Sequence, residues 1–128
     1  MWMRNLLRAA LPFVPALVLM ALIFAFSAMP SDDTGKGLLV FLIRKLTHFS
    51  EYFVLTGLWW WALSTKVDAR RAVGAALAIS IAYAITDEWH QTFVDGRTGT
   101  WRDVVIDSAG ALTATALIRS RASRVLSR

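Results

Sequence analysis

The sequence predicts an all-α integral membrane protein, a single domain over residues 1–128, built as a four-helix bundle with both termini in the cytoplasm. Its composition supports this class, because 56% of the residues are hydrophobic, the mean hydropathy is +0.50 and only 18% are charged. A soluble domain carries about 25% charged residues. The apolar residues form four blocks, each close to the roughly 20 residues that one membrane span needs. The acids and both histidines collect beside one end of these blocks.

The first block, residues 9–31, lies between Arg8 and Asp32 and contains no charged residue. A helix of about 20 apolar residues crosses a hydrocarbon core of about 30 Å, so we predict a span over about residues 9–29. The alternative is a cleaved signal peptide with small residues near Ser27. Its apolar part would exceed the roughly 7–15 residues usual for such peptides, which favours a retained span.

The second block runs from Leu38 to Lys66. As one helix it would measure about 40 Å, which is more than the hydrocarbon core requires. We therefore predict a span over about residues 44–65, with residues 37–43 lying along the membrane interface before the helix turns inward.

The third span is predicted over about residues 69–91, with Asp68 as its N-cap. The fourth is predicted over about 102–118, where Thr100 and Asp103 have the spacing of a capping box. Three acids between the spans are expected to be solvated loop residues: Asp32, Asp33 and Asp95.

The distribution of basic residues predicts the orientation. Nine of the fourteen lysines and arginines lie in the N-terminal segment, the 66–71 loop and the C-terminal tail. The positive-inside rule places these segments in the cytoplasm. A basic tail directly after an apolar helix is typical of anchoring to anionic lipid, so we expect no nucleic-acid partner despite the net charge of +5. The chain has no cysteine, which excludes a disulfide framework and a thiolate metal site.

Helical spacing predicts that polar side chains from three spans converge. In the second span, Lys45, His48 and Glu51 follow one another at i, i+3 and i+6 and share a face. In the third span, Asp87, His90 and Gln91 share a face with Ser80 and Tyr83. Glu88 lies about 100° from Asp87 around the helix. We therefore expect only one of these two acids to point at a common target.

The fourth span has its acids and its small residues on one stripe. Asp103 and Asp107 align with Gly110 and Ala114. The Gly-x-x-x-Ala spacing lets helix backbones approach closely. Asp107 is therefore expected to face protein and not lipid.

The charges of this constellation leave two chemistries open. When all groups ionise, the acids exceed the bases by two negative charges, which one divalent cation or two protonated acids would balance. The five acids are Glu51, Asp87, Glu88, Asp103 and Asp107, and the three bases are Lys45, Arg97 and Arg102. Oxygen ligands with one or two histidines suit Mg²⁺, Mn²⁺, Ca²⁺ or Zn²⁺, although no strong metal motif is present. A purely structural alternative is an ion-pair network in which Arg97 and Arg102 neutralise Asp87 and Asp103.

Three motifs occur in order over residues 40–115. They are Lys45-x-x-His48-Phe49-x-Glu51-Tyr52, Tyr83-Ala84-x-x-Asp87-Glu88-x-His90-Gln91-x-Phe93-Val94-x-Gly96-Arg97, and Asp103-Val104-x-x-Asp107-x-x-Gly110. Together they resemble the VanZ-like family of small bacterial membrane proteins. The family is named for a protein linked to resistance to teicoplanin, a glycopeptide that acts on cell-wall precursors. Two positions depart from the family pattern, which usually has Pro at position 95 and Asn at position 107.

The leading hypothesis is a multi-pass protein of the bacterial cytoplasmic membrane with an outward-facing polar site that recognises a lipid-linked or phosphorylated envelope molecule. The resemblance implies a contribution to glycopeptide resistance. Five residues are expected to bind the substrate: Lys45, Gln91, Arg97, Arg102 and Asp103. Five others are candidates for acid–base catalysis: His48, Glu51, Asp87, Glu88 and His90. A divalent cation ligated by these groups is the one cofactor considered.

Two other interpretations fit the same residues. The polar cluster can be a structural lock of a non-enzymatic bundle that binds or shields surface lipid. Alternatively, the chain can be a small transporter or proton relay. Four helices enclose only a narrow path, so transport would require a homo-oligomer.

Overall fold

The computed structural model describes residues 1–30 and 37–126, and this part of the chain is entirely helical, without a strand. The elements are α1 (Trp2–Ala10), a 3₁₀ turn (Leu11–Phe13), α2 (Val14–Ser27), α3 (Leu38–Leu63), α4 (Ala69–Gln91) and α5 (Trp101–Leu126). The first three follow one another without a break and form the first of four helical segments. The predicted all-α architecture with four segments is confirmed. Asp32, Asp33 and Arg128 lie outside the described residues.

The beginning of α3 differs from the expectation. The helix begins at Leu38 and continues to Leu63 without interruption, so the separate interfacial segment predicted over residues 37–43 is wrong. No proline lies within this range. Residues of the first turns are mostly aliphatic and straight-chain, and such residues favour helix. Exposed apolar side chains cover this end of α3, where Leu38 and Leu39 are 73% and 71% exposed.

The predicted starts of α4 and α5 are largely confirmed. Asp68 caps α4 by accepting a hydrogen bond of 3.0 Å from the backbone N–H of Arg71. Thr100 precedes α5, and its hydroxyl accepts a bond of 3.3 Å from the backbone N–H of Asp103. The helix continues past the predicted end of the fourth span to Leu126, because the C-terminal tail contains neither proline nor glycine.

Small residues allow α3, α4 and α5 to pack closely, and these three helices form the largest interfaces of the bundle. Buried alanines line their contacts: Ala62, Ala72, Ala76, Ala84, Ala111 and Ala114. At Gly110 the approach is closest, since a Cβ there would lie 2.2 Å from the backbone oxygen of Phe49. This confirms the close packing that the Gly110-x-x-x-Ala114 spacing predicts.

The first helical segment is attached to the bundle by specific polar contacts. The Tyr83 hydroxyl donates to the backbone oxygen of Met20 at 2.6 Å. The Ser27 hydroxyl donates to Asp87 at 2.8 Å. Larger apolar side chains pack beside these bonds, among them Ile23 and Tyr52, which are almost fully buried. The segment is thus an integral part of the fold.

Two helical segments are long and apolar enough to cross a membrane, namely Trp2–Ser27 and Ala69–Gln91. Many large apolar side chains on the outside of the bundle are exposed, while much of the buried surface belongs to polar residues and alanine. Such an arrangement is expected where lipid, and not water, surrounds the helices.

Candidate functional site

A cavity of about 390 Å³ opens at the end of the bundle where α3 begins, α4 ends and α5 begins. All five residues that the sequence predicts to bind a substrate line this cavity: Lys45, Gln91, Arg97, Arg102 and Asp103. His48 lines it as well. Helical spacing and the antiparallel order of the three helices explain this result, because each helix brings its polar end to the same level.

The cavity has a cationic lining. Among its described residues, four carry a positive charge and one a negative charge; they are Arg44, Lys45, Arg97, Arg102 and Asp103. Lys45 forms an ion pair with Asp103. Two other basic residues of the predicted site, Arg97 and Arg102, therefore give the lining positive charge that Asp103 does not balance.

The two arginines from the predicted site have different surroundings. Arg97 donates to the backbone oxygens of Phe26 and Met29 at 2.8 and 3.1 Å, which ties the α4–α5 loop to the end of α2. The Arg102 guanidinium lies 5.8 Å from the ring centroid of Trp101, and both side chains are exposed. Arg97 thus lines the cavity and also makes structural hydrogen bonds. Arg102 is an exposed residue of the lining whose described contact is with the neighbouring Trp101 ring.

A buried hydrogen-bond network lies directly behind the cavity. Its centre is Gln91, whose amide nitrogen donates to Asp87 at 3.1 Å and to Glu88 at 3.3 Å. Asp87 also accepts the Ser27 hydroxyl at 2.8 Å. Glu88 also accepts the backbone N–H of Thr100 at 2.9 Å. The network connects the first segment, α4 and the loop before α5.

This network corrects two expectations. The first is that only one of Asp87 and Glu88 faces a common target, which is wrong because both acids bind the amide of Gln91. The second is the ion-pair network of Arg97 and Arg102 with Asp87 and Asp103. Asp87 is instead held by Ser27 and Gln91. Asp103 is held by Lys45 and by the Thr100 hydroxyl, which lies 3.0 Å from it.

His48, Glu88 and Asp107 form a second buried group next to the network. One ligand atom of each side chain lies within 4.8 Å of the other two. His48 Nδ1 lies 3.3 Å from Asp107 Oδ1, which is close enough for an ion pair. The contact lacks hydrogen-bond geometry, so neither carboxylate oxygen of Asp107 receives a hydrogen bond from the described residues. Asp107 is 0% exposed, as expected for a residue that faces protein.

The other candidates for acid–base catalysis lie outside the cavity lining. Glu51 is half-buried on α3 and makes no side-chain hydrogen bond within the described chain. The ring of His90 stacks on Phe24 of α2, with ring centroids 4.4 Å apart and an angle of 29°. Asp87 and Glu88 do not line the cavity themselves, but both accept from the amide of Gln91, which does. Of the polar side chains expected to converge, His48 and Asp103 line the cavity together with Arg97, and Asp87 is connected to it through Gln91.

Sequence reasoning missed two contributors to this end of the bundle. Ser27 is the isolated polar residue at the end of an apolar segment, and the sequence alone suggests only a small residue near a possible signal-peptide cleavage site. In the structure its hydroxyl donates to Asp87. Thr100 was read as a helix cap, and its backbone N–H also binds Glu88. The sequence signal for Ser27 is its place as a polar residue at the end of an apolar span, where ionisable and polar groups usually have a role.

The comparison with known families gives one clear result. A family model described as VanZ/LLP1 matches residues 11–122, a range that includes nearly all of the four helical segments. Neither the curated proteins nor the solved structures give a match. The resemblance expected from the three motifs is confirmed. Together with the two candidate spans, the match identifies a membrane protein.

Proposed function

Because the chain belongs to the VanZ/LLP1 family, we propose that it is a multi-pass protein of the bacterial cytoplasmic membrane whose cavity recognises the anionic group of a lipid-linked or phosphorylated envelope molecule. The observation that carries this proposal is the cationic lining of the cavity. Its position at the end of three membrane helices is the level at which a lipid headgroup would lie.

The lining chemistry supports a phosphate or diphosphate group as the recognised part. A guanidinium group binds phosphate oxygens through two parallel hydrogen bonds, and Arg97 and Arg102 are among the residues that line the cavity with Lys45. The volume of about 390 Å³ is at the small end of ligand pockets. Such a volume accommodates a headgroup, while the lipid chain would remain outside the bundle.

An acid–base role at this site would depend first on His48, because it is the candidate that lines the cavity. His48 would exchange a proton with the bound group, since imidazole is the side chain best suited to this near neutral pH. Glu88 and Asp107 lie behind it. Glu51, Asp87 and His90 would act on a bound group only through their neighbours. The negative charge of this inner group also supports a divalent cation as part of the function.

A second candidate function is supported by the buried network around Gln91. Asp87 accepts from Ser27 at the end of α2, and Glu88 accepts from the Thr100 N–H before α5, so each acid ties α4 to another part of the bundle, as a structural lock requires. Gln91 links the two acids within α4. In this alternative the chain is not an enzyme, and the bundle binds or shields surface lipid. The family name, which is linked to teicoplanin resistance, supports an envelope molecule as the ligand in both cases.

The experiment that tests the proposal measures anion binding to the purified full-length chain in lipid nanodiscs. Inorganic diphosphate and a short-chain isoprenyl diphosphate are titrated separately. The expected result is binding of both probes, with Arg102→Gln weakening it by about tenfold, because one charge-assisted hydrogen bond is worth about 1.5–3 kcal/mol.

The matched control is Arg70→Gln, an exposed arginine at the opposite end of α4. This variant should bind both probes like the unchanged chain. Equal binding by both variants, or no binding of either probe, would show that the cavity does not recognise phosphate. Tighter binding of the isoprenyl compound indicates a lipid-linked ligand, and equal binding indicates a free phosphorylated one.

A further inference from the structure

Asp107 is a buried carboxylate with an incomplete set of polar partners. It is 0% exposed, and neither oxygen accepts a hydrogen bond from the described residues. Its nearest base is His48 Nδ1, which lies 3.3 Å away without hydrogen-bond geometry and is itself a buried atom without a hydrogen bond. Burying an ionised carboxylate is costly unless it is paired or coordinates a metal. The two side chains are at ion-pair distance, yet their buried polar atoms make no hydrogen bond within the described residues, which points towards a shared ligand.

Three helices bring metal-ligating side chains to this place. His48 belongs to α3, Glu88 to α4 and Asp107 to α5, and one ligand atom of each lies within 4.8 Å of the others. Two metal–ligand bonds of about 2.0–2.2 Å can separate two ligand atoms by up to about 4.4 Å. A small side-chain adjustment would thus place all three around one ion.

The contacts of Glu88 have the form of an outer ligand shell. One of its carboxylate oxygens accepts the Gln91 amide, and the other accepts the backbone N–H of Thr100. Each oxygen keeps a lone pair. Outer-shell hydrogen bonds of this kind orient the carboxylate ligands of metal sites. Glu88 is held in place by α4 and by the loop before α5, independently of His48 and Asp107.

We propose that His48, Glu88 and Asp107 bind one divalent transition-metal ion, with Zn²⁺ or Mn²⁺ as the class that one imidazole and two carboxylates suit. The ion balances the two carboxylate charges and removes the uncompensated charge of Asp107. Three protein ligands leave a coordination position for a further group. His48 also lines the cavity. The metal site itself does not depend on the proposed recognition of an anion.

The test measures the metal content of the full-length chain. The purified protein in detergent is treated with EDTA, dialysed, and titrated separately with Zn²⁺, Mn²⁺, Mg²⁺ and Ca²⁺. Bound metal is then measured by mass spectrometry after gel filtration. We expect about one Zn²⁺ or Mn²⁺ per chain, and at least about tenfold weaker binding by Asp107→Asn and by His48→Gln. Asp68→Asn makes the same chemical change at the exposed N-cap of α4, at the opposite end of the bundle, and as the control it should retain the metal.

A measurement of thermal unfolding distinguishes a variant that has lost the metal site from one that has lost its fold. In the metal-free protein, Asp107→Asn should be at least as stable as the unchanged chain, because it removes a buried charge without changing the shape of the side chain. Added metal should raise the unfolding temperature of the unchanged chain and leave that of Asp107→Asn unaltered.

Several results would overturn the proposal. The first is equal metal content in the unchanged chain and in Asp107→Asn, and the second is no bound metal in either. The third is a marked loss of stability of metal-free Asp107→Asn, which would show that Asp107 simply pairs with a protonated His48. Arg102→Gln should weaken diphosphate binding by about tenfold and keep the metal, so failure of one proposal is distinguishable from failure of the other.

Discussion

Glu88 shows how a single residue serves both the fold and the candidate site. Its two oxygens accept from different partners, so the carboxylate fixes α4 to the loop before α5. It also belongs to the group with His48 and Asp107. A carboxylate in a membrane helix is retained only where its charge is used, either in pairing or in function. The position of the Glu88 carboxylate allows both, because it bonds to Gln91 and Thr100 and also lies beside His48 and Asp107.

Substitutions at positions 88 and 90 separate a scaffold role from a chemical one. Glu88→Gln turns one acceptor oxygen into a donor that faces either Gln91 or the Thr100 N–H. The loss of a buried hydrogen bond is expected to cost about 1–3 kcal/mol. His90→Ala removes stacking on Phe24, which is worth about 0.5–1.5 kcal/mol. Membrane abundance and thermal unfolding in detergent measure both effects.

The pattern of abundance and function decides between the interpretations. Glu88→Gln should lower both abundance and unfolding temperature more than His90→Ala if Glu88 belongs to a structural lock. Normal abundance with lost function would instead indicate a ligating or catalytic role. If both variants are abundant and fully functional, neither position has the role that the sequence motifs suggest.

At the scale of the helices, the closest contact lies between α3 and α5. A Cβ at Gly110 would approach the backbone oxygen of Phe49 to 2.2 Å, and a backbone atom cannot move aside as a flexible side chain can. Gly110→Ala should therefore push the helices apart and destabilise the bundle by about 1–3 kcal/mol, as overpacking does. Thermal unfolding of the purified variant provides the measurement.

Gly57 on α3 supplies the matched control, because nothing lies within 4 Å of a Cβ at that position. Gly57→Ala should stabilise the helix by about 0.5–1 kcal/mol, since alanine loses less conformational freedom in a helix than glycine. The two variants make the same chemical change with opposite expected signs. A stabilising Gly110→Ala would contradict the close packing of α3 and α5.

Helical spacing and capping predicted much of this architecture, because both are local properties. The Asp68 cap, the Gly110-x-x-x-Ala114 contact and the shared level of Lys45 and Asp103 all follow from periodicity and helix order. Spacing within α4 did not reveal that Asp87 and Glu88 bind the same amide. That contact depends on the conformation of Gln91 and on the first segment and the loop that cover opposite sides of α4.

For the molecule as a whole, charge is distributed unevenly along the bundle axis. The buried acids lie at the end where α4 finishes and α5 begins: Asp87, Glu88, Asp103 and Asp107. Further along the described helices the buried polar contacts are neutral, as in the pair of Thr56 and Ser80, whose oxygens are 2.8 Å apart. A polar site confined to one end suits a headgroup that enters from one membrane surface. The membrane surface at which it lies then follows from the topology.

Topology is the prediction on which the biological setting of the cavity depends. Reporters fused after Arg128 and inserted within residues 66–71 should both report the cytoplasm, because these two segments and the N-terminal segment together carry nine of the fourteen lysines and arginines. A reporter inserted within residues 95–98, in the loop beside the cavity, should report the outside. Dual reporters that are active on opposite sides of the membrane measure each position twice. The opposite pattern would place the cavity at the cytoplasmic surface, where its ligand would be a cytoplasmic phosphorylated lipid or precursor and not an exported one.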